Sequence, residues 1–352
     1  MDNYQQRVWW PAFLLCLLWF APLTPGMAAP ADLFESEVVV PNQSPAERSR
    51  AFATALAEVL VRVAGRNNVL ASEPARALLE DPGKLVQQYR YYTRPDSQPP
   101  VLVMWVRFDE ASIREGLQQQ GLSYWGKERP DTLVWLAVED RGRRYVVAAG
   151  DDSDVRQQIE LAARQRGVPI VFPLMDLEDQ SRARFSDIWG GFFDNVLQAS
   201  ERYSPQAVLV GRLNRSVSGG WSSRWHLQVG GKPSAWSDSR SELAQLAQQG
   251  IDDTADILAS QFAVATGGHD GSYRESIEID GVDSLADYAR VNAYLEALTS
   301  VADMQLAQVS GSSLKYSLQL NGSLQDLTRT VAIGSVLEPV PGGIPGSFRI
   351  RQ

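Results

Sequence analysis

Two clusters of side chains in this 352-residue chain could carry chemistry, and the first consists of carboxylates. Asp176, Glu178 and Asp179 follow an apolar segment at 168–172 that predicts a buried strand. Ligands of α/β proteins often bind at the carboxyl end of a strand, where two carboxylates could act as acid and base in a hydrolase. The spacing does not match a calcium loop. We favour a hydrated loop and keep an unrecognised hydrolase as the third functional hypothesis.

Tryptophans form the second cluster. Trp221 and Trp225 share one face of a predicted strand, and Trp236 follows in the same Gly- and Ser-rich segment. Beside Arg224, an exposed pair of tryptophans could stack on a sugar ring. The same face could instead pack against the helix predicted at 241–264, and burial is the interpretation that we favour. Binding of a glycan or another small ligand is therefore the second hypothesis.

Motifs of familiar catalytic sites are missing from the sequence: it contains no GxSxG, Walker A, GxGxxG or HExxH pattern. His226 lies within a predicted strand and His269 in a Gly-rich linker, and two such distant histidines do not make a usual zinc site. The acidic run at 151–154 indicates the start of a helix rather than a cation site. We therefore predict a non-enzymatic protein with no catalytic residue, metal or cofactor.

The elements that must position these side chains alternate between strands and helices, which predicts an α/β to α+β fold. The domains are predicted as a βαββα module at 32–125, a central α/β domain at 130–266 and a ferredoxin-like βαββαβ module at 272–337. Two small βαββ-type modules would therefore flank one α/β layer. A Pro- and Gly-rich tail is expected at 338–352, and one continuous helix is expected at 185–203 in the central domain.

Residues 35–53 and 275–293 match at a constant offset of 240. The match includes a Glu-Ser pair in a predicted strand and a serine at a predicted helix start. An internal repeat and a coincidence between two helix starts both explain it. The sequence leaves that choice open.

The first 31 residues predict a secretory signal peptide. Arg7 precedes an apolar run at 8–23, and prolines and small residues follow. The run has about 16 residues, fewer than the roughly 20 that span a bilayer. We expect cleavage after Ala28 or Ala31 and no stable membrane insertion afterwards, and the alternative is a retained anchor. The short, weakly charged start is typical of bacteria and predicts the periplasm.

Composition restricts the partners of the mature chain. Cys16 is the only cysteine, and it lies in the predicted signal, so no thiol or disulfide would remain after cleavage. The formal net charge of −9 and the pI of about 4.9 disfavour nucleic acid and anionic lipid, which bind basic surfaces.

The segments ESEVVVPNQS (35–44) and RSRAFATALAEVLVRVAG (48–65) resemble a proteobacterial family of exported proteins described only as a domain of unknown function. The resemblance covers most of the mature chain. It implies export, but no activity and no site residues. The order of elements in the central domain also resembles, in topology alone, the α/β domains of the TolB amino-terminal and curli-secretion lipoprotein type.

Export, small α/β modules and the lack of catalytic motifs together predict a periplasmic accessory or scaffold protein of the cell envelope. Such a protein would act through protein–protein contacts rather than catalysis.

Overall fold

The computed structural model describes residues 32–94, 99–217, 219–265 and 274–351. The predicted signal peptide and His269 lie outside the described residues. Within them, the strands form sheets of three, six, two and five strands, and helices alternate with the strands along the chain. The predicted α/β to α+β class is therefore confirmed. The three larger sheets, each with its own apolar core, belong to one compact unit.

The first module is a three-stranded antiparallel sheet with the strand order β1-β3-β2. Its strands and α-helices are β1 (Glu35–Val39), α1 (Pro45–Ala64), α2 (Glu73–Leu79), β2 (Val86–Arg94), β3 (Val101–Phe108) and α3 (Glu110–Gln119). Helix α1 begins after Ser44, whose hydroxyl accepts a hydrogen bond from the Glu47 amide at 3.3 Å. It ends at Gly65, which adopts the left-handed conformation that glycine tolerates best (φ 71°).

Helix α1 is amphipathic, and its apolar stripe packs on the sheet. Leu56, Val59 and Leu60 share one buried core with Met104 and Val106 of β3. Residues three and four apart lie on the same face of a helix, so the sequence spacing alone predicts this stripe. Each such side chain stabilises the fold by about 1.5–3 kcal/mol when it is fully buried.

The central module is a larger mixed sheet. Its elements are β4 (Ser123–Tyr124), β5 (Thr132–Asp140), β6 (Arg143–Val146), α4 (Asp154–Arg166), β7 (Ile170–Val171), α5 (Leu177–Arg182), α6 (Phe185–Gly190), α7 (Phe193–Ser200), β8 (Ala207–Arg215), β9 (Trp221–Val229), β10 (Lys232–Arg240), α8 (Leu243–Phe262) and β11 (Val264–Ala265). The main sheet has the order β10-β9-β8-β5-β6, and β7 pairs with β5. Strand β5 runs parallel to β8 and β7, and the other pairs are antiparallel.

Different helices pack on the two faces of the central sheet. Leu209 and Trp225 point into the core with α4 and α8, whereas Trp135 and Val208 point into the core with α6 and α7. Helices α6 and α7 pack on β5 and β8. On the same side, outer strands β9 and β10 carry polar residues, among them the exposed Arg224.

The continuous helix predicted at 185–203 is wrong. Gly191 adopts a left-handed conformation (φ 77°) and separates α6 from α7. A glycine pair inside a helical pattern permits such a break at low steric cost. The segment at 168–172 likewise forms only a two-residue strand, β7.

The third module has the elements β12 (Arg274–Asp280), α9 (Leu285–Ala297), β13 (Val301–Ser310), β14 (Ser313–Leu320), α10 (Leu324–Ile333), β15 (Leu337–Pro339) and β16 (Ser347–Ile350). The sheet order is β13-β14-β12-β16-β15. Strands β12 to β14 pair as in a ferredoxin-like unit.

The tail predicted at 338–352 is wrong, because the segment contains β16 with Phe348 and Ile350 buried. Prolines and glycines at 339–346 reverse the chain so that β16 lies antiparallel to β15. Strand β16 also pairs in parallel with β12 and separates it from β15. The Pro- and Gly-rich composition therefore indicates a tight connection between strands. The ferredoxin-like pairing extends over β12 to β14 only, because β16, parallel to β12, takes the place beside it that the predicted last strand would fill.

The first and third modules share one strand order. In each, the third strand pairs with both the first and the second, which gives β1-β3-β2 and β12-β14-β13. Ser284 caps α9 as Ser44 caps α1, and each hydroxyl accepts from the amide three residues later. The two segments that match at an offset of 240 therefore occupy corresponding positions in the structure.

Buried arginines join the first module to the central one. Arg62 near the end of α1 donates to the carbonyl oxygens of Gln165 in α4 (2.9 Å) and Glu35 in β1 (2.7 Å). Burial lowers the pKa of Arg62, but the nearby carboxylates oppose that shift. Helical periodicity gives no sign of this role, because an arginine in the last turn of an amphipathic helix is usually exposed.

The same joint contains a buried ion-pair network. Arg166 at the end of α4 contacts the carboxylates of Asp252 (3.1 Å) and Asp256 (2.7 Å) in α8. Gly65 lies against the same helix, since a Cβ atom there would be 2.3 Å from the Cβ of Ala259. The first two modules are thus held by close backbone approach and by hydrogen bonds.

Candidate functional site

The predicted tryptophan cluster lies mostly in the core. Trp221 and Trp225 are buried against α8, and Trp236 is half-buried against the same core. Trp225 and Trp236 stack with ring centroids 6.5 Å apart. The interpretation of burial is confirmed for Trp221 and Trp225, which leaves them no face on which to stack a ligand from solvent.

The predicted carboxylates meet in one place, and they brace a loop. Asp176 caps the short helix α5, and its carboxylate makes a two-point ion pair with Arg202 at 2.8 and 2.9 Å. Asp179 is fully buried and also contacts Arg202, at 3.1 Å. Glu178 is exposed and pairs with Arg182 at 3.1 Å. The three carboxylates therefore form ion pairs; Asp179 is buried, whereas Asp176 and Glu178 remain exposed to solvent, as the favoured hydrated loop predicts.

The pKa values of Asp176 and Tyr203 do not suit acid–base catalysis near neutral pH. Hydrogen bonding and charge from Arg202 hold the pKa of Asp176 at about 2. Burial and a hydrogen bond to Asp179 raise the pKa of the Tyr203 phenol to about 12. A general acid or base works best when its pKa lies near the working pH. The geometry and the charges instead fit a structural brace.

The brace fixes residues 174–179, which we call the leucine loop. The Asp179 carboxylate accepts hydrogen bonds from the Met175 amide (2.9 Å) and the Tyr203 hydroxyl (2.5 Å), and that hydroxyl accepts one from the Leu174 amide (2.9 Å). Met175 is held in the left-handed region at φ 54°, which is costly for a residue with a side chain. Leu174 and Leu177 are 58% and 86% exposed. The network therefore fixes a loop that exposes two leucine side chains to solvent.

Acid should release this brace. The lowered pKa of Asp176 means that the folded state favours its ionised form. The stabilisation is present above about pH 4, where unfolded Asp is also ionised, and is lost as the pH falls through about 2. We expect Asp176→Asn to lose less thermal stability than the wild type between about pH 4 and pH 2. Thermal unfolding of both proteins measures this, and parallel decline would contradict it.

A second site, which sequence reasoning missed, lies on the open face of β9 and β10. This cleft, of about 620 Å³, is lined by residues from α6, β8, β9 and β10. We call it the arginine–serine cleft, and its lining residues are Trp189, Arg212, Asn214, Ser222, Ser223, Arg224, Ser237, Asp238 and Ser239. Strand alternation could have located it, because Ser222 and Arg224 must point away from the buried tryptophans of β9.

Two arginines give this cleft its positive charge, and the one carboxylate in the lining, that of Asp238, is paired with Arg240. Arg212 is partly buried and donates to the Trp189 carbonyl. Burial, together with the nearby charge of Arg224, lowers the pKa of Arg212. Within the ranges that the structure describes, neither arginine forms an ion pair. A guanidinium remains protonated near neutral pH and only donates hydrogen bonds, so this pair can bind an anion.

The other polar residues that the sequence singled out, His226 and the acidic run at 151–154, stabilise the fold through stacking and helix capping. His226 is half-buried and stacks on Phe193 with ring centroids 3.8 Å apart, and burial lowers its pKa. Ser153 caps α4, and the Asp151 carboxylate accepts from the Ser153 amide at 2.9 Å.

In the described part of the chain, no group of three His, Cys, Asp or Glu residues could hold a metal. None of the described helices has the length and apolar character to cross a membrane.

The fold and these sites define a mixed α/β protein with a cationic cleft and a braced leucine loop. A family described as a domain of unknown function (DUF8605) matches residues 28–126. This confirms the predicted likeness to a domain of unknown function over the first module. No curated protein matches the chain.

One of the solved structures that match shows a weak likeness. A formyltetrahydrofolate deformylase from Pseudomonas putida KT2440 aligns with 55% of this chain and 88% of its own, at 11% sequence identity. The TM-score is 0.16, which carries no argument about fold or activity.

Proposed function

We propose that this protein is a non-enzymatic accessory or scaffold protein of the cell envelope, exported to the periplasm, that acts through contacts with a partner protein. The observation that carries the proposal is the leucine loop. Two exposed leucines stand on a strained backbone that is held by a fully buried carboxylate. A loop that only connects two elements needs no such construction.

Pre-organisation explains why the brace favours protein contact. Association costs free energy whenever a loop must be ordered, and a loop that is already fixed avoids that cost. A few apolar anchors at the centre of an interface commonly supply most of its binding energy. Leu174 and Leu177 have the exposure that such anchors need. The energetic strain at Met175, of order 1–3 kcal/mol for a sparsely populated conformation, is typical of functional segments.

The loop variant Leu174→Ser/Leu177→Ser tests the contact. Chemical crosslinking in the periplasm followed by affinity capture should recover a defined partner with the wild-type chain. The double variant should recover it at least about tenfold less well, since each lost anchor costs on the order of 1 kcal/mol or more. The control Leu161→Ser/Leu285→Ser removes two other exposed leucines and should capture the partner normally.

A third variant tests the brace itself. Asp179→Ala keeps both leucines but removes the carboxylate that fixes Met175 and Tyr203. It should weaken capture while circular dichroism reports an intact fold. Capture that is equal for all variants would remove the leucine loop from the interface. Absence of any enriched partner with the wild-type chain would overturn the proposed function.

Export has its own test. Cell fractionation should place the protein in the periplasm, and mass spectrometry of the mature chain should show Ala29 or Asp32 as its first residue. A full-length chain recovered from the cytoplasm would contradict the proposed location.

A further inference from the structure

We infer that the arginine–serine cleft binds a small acidic sugar, a pyranose ring that carries a carboxylate. The proposed protein contact does not use this cleft, because it rests on the leucine loop. The inference is carried by three features of the lining: two arginines that form no ion pair with any described carboxylate, serine hydroxyls that form no hydrogen bond to another described group, and an aromatic wall.

The arginines supply the site for the carboxylate. Arg212 and Arg224 are directly paired positions of β8 and β9, and the charge of Arg224 disfavours that of Arg212, in a chain whose net charge is −9. A carboxylate bound between them would relieve that repulsion and accept two-point hydrogen bonds from a guanidinium. Arg212 is already oriented by its bond to the Trp189 carbonyl. Less side-chain freedom is therefore lost when a ligand binds.

The hydroxyl groups favour a polyhydroxylated ligand over a bare anion. Ser222, Ser237 and Ser239 line the cleft, and within the described ranges their hydroxyls form no hydrogen bond to another protein group. Asn214 adds an amide with both donors and an acceptor. A hydroxyl both donates and accepts, as do the hydroxyls of a sugar. An inorganic anion would leave most of these groups without a partner.

The aromatic wall and the volume favour a ring. Trp189 lines the cleft, is half-buried, and stacks on Phe185 with ring centroids 5.2 Å apart, so its position is fixed. Small-molecule sites commonly enclose about 300–1,000 Å³ and combine aromatic walls with a few polar groups. The cleft, at about 620 Å³, lies within that range.

Calorimetric titration of the full chain with D-glucuronate, D-glucose, inorganic phosphate and tetraglutamate tests this inference. Glucuronate should bind, glucose should bind at least about tenfold more weakly, and added salt should weaken glucuronate binding. Arg224→Gln should lose at least about tenfold in affinity for glucuronate. Because Arg224 is exposed, this variant should fold even if a change at Arg212 does not. The control Arg114→Gln removes an exposed arginine on α3 and should bind glucuronate normally.

Each other result overturns the inference. Equal binding of glucose and glucuronate would remove the role of the arginines, and no binding of either would remove the sugar site. Phosphate binding as tight as glucuronate would make the cleft a plain anion site. Preference for tetraglutamate would make it a docking site for acidic protein segments. Arg224→Gln should still capture the partner protein, and Leu174→Ser/Leu177→Ser should still bind glucuronate, so the two proposals fail separately.

Discussion

Replacing Arg129 with leucine is expected to lower the free energy of unfolding by about 3 kcal/mol or more. The guanidinium of Arg129 is buried and donates five hydrogen bonds of 2.8–3.0 Å, all to backbone carbonyl oxygens. The acceptors are the carbonyls of Arg62, Trp125, Gly126, Arg166 and Gly167. Leucine would leave several of them buried without a donor, at roughly 1–3 kcal/mol each.

The position of Arg129 makes this effect large. Its acceptors belong to α1, to the chain before β5 and to the end of α4, so one side chain ties the first module to the central one. The guanidinium also lies over the Trp125 ring, 4.0 Å from the centroid. Burial lowers the pKa of Arg129, and the neighbouring charges of Arg62 and Arg166 lower it further. The hydrogen bonds must offset that desolvation.

Urea unfolding measures the prediction, with Arg129→Lys as the informative comparison. Lysine keeps the charge but lacks the planar fork and the flat surface for stacking, so most of the loss should remain. Arg114→Leu on the exposed side of α3 should change stability by no more than about 0.5 kcal/mol. Full stability in Arg129→Lys would mean that the charge, and not the fork, supports the joint.

Trp225→Ala is expected to lower the free energy of unfolding by about 3–5 kcal/mol, the usual cost of deleting a buried large aromatic side chain. Trp225 is only 2% exposed and lies between two glycines. A Cβ atom on Gly211 would be 2.4 Å from its ring, and one on Gly250 would be 2.6 Å away. The indole nitrogen donates to the Ser223 hydroxyl at 2.9 Å. The site fits the ring closely and would leave a large cavity without it.

Two further variants check this packing. Gly250→Ala inserts a methyl group against the indole and should cost about 1–3 kcal/mol by overpacking. Trp236→Ala removes a half-buried ring and should cost less than Trp225→Ala. Thermal and urea unfolding, followed by fluorescence and circular dichroism, rank the three. A neutral Trp225→Ala would mean that the ring is accessible and would return it to the candidates for ligand stacking.

Local signals account for the parts of the fold that the sequence predicts well. The cap at Ser44, the stop at Gly65 and the apolar stripe of α1 depend on residues within a few positions of one another. The strand at 101–108 is rich in β-branched and aromatic residues, and it forms with the predicted bounds. Propensity, capping and periodicity are short-range effects, so one sequence contains them.

For each candidate site, too, the local sequence predicts one part, and contacts between distant residues decide the rest. Their proximity in the sequence identifies Asp176, Glu178 and Asp179 as an acidic cluster. The residues that make this cluster a brace, Arg202 and Tyr203, follow more than 20 positions later. Alternation in β9 separates Trp225 from Arg224. It does not say which face α8 covers, and that choice decides whether tryptophans or arginines meet the solvent.

By itself, the sequence determined the fold class, the helix caps, the acidic balance and the order of most elements, because these depend on neighbours along the chain. Only the tertiary structure decided that 347–350 inserts as a strand beside β12, that Arg129 closes the joint, and that the open face of β9 is cationic. These features depend on contacts between residues far apart in sequence. The free energy of such contacts comes from burial and pairing, which no local pattern encodes.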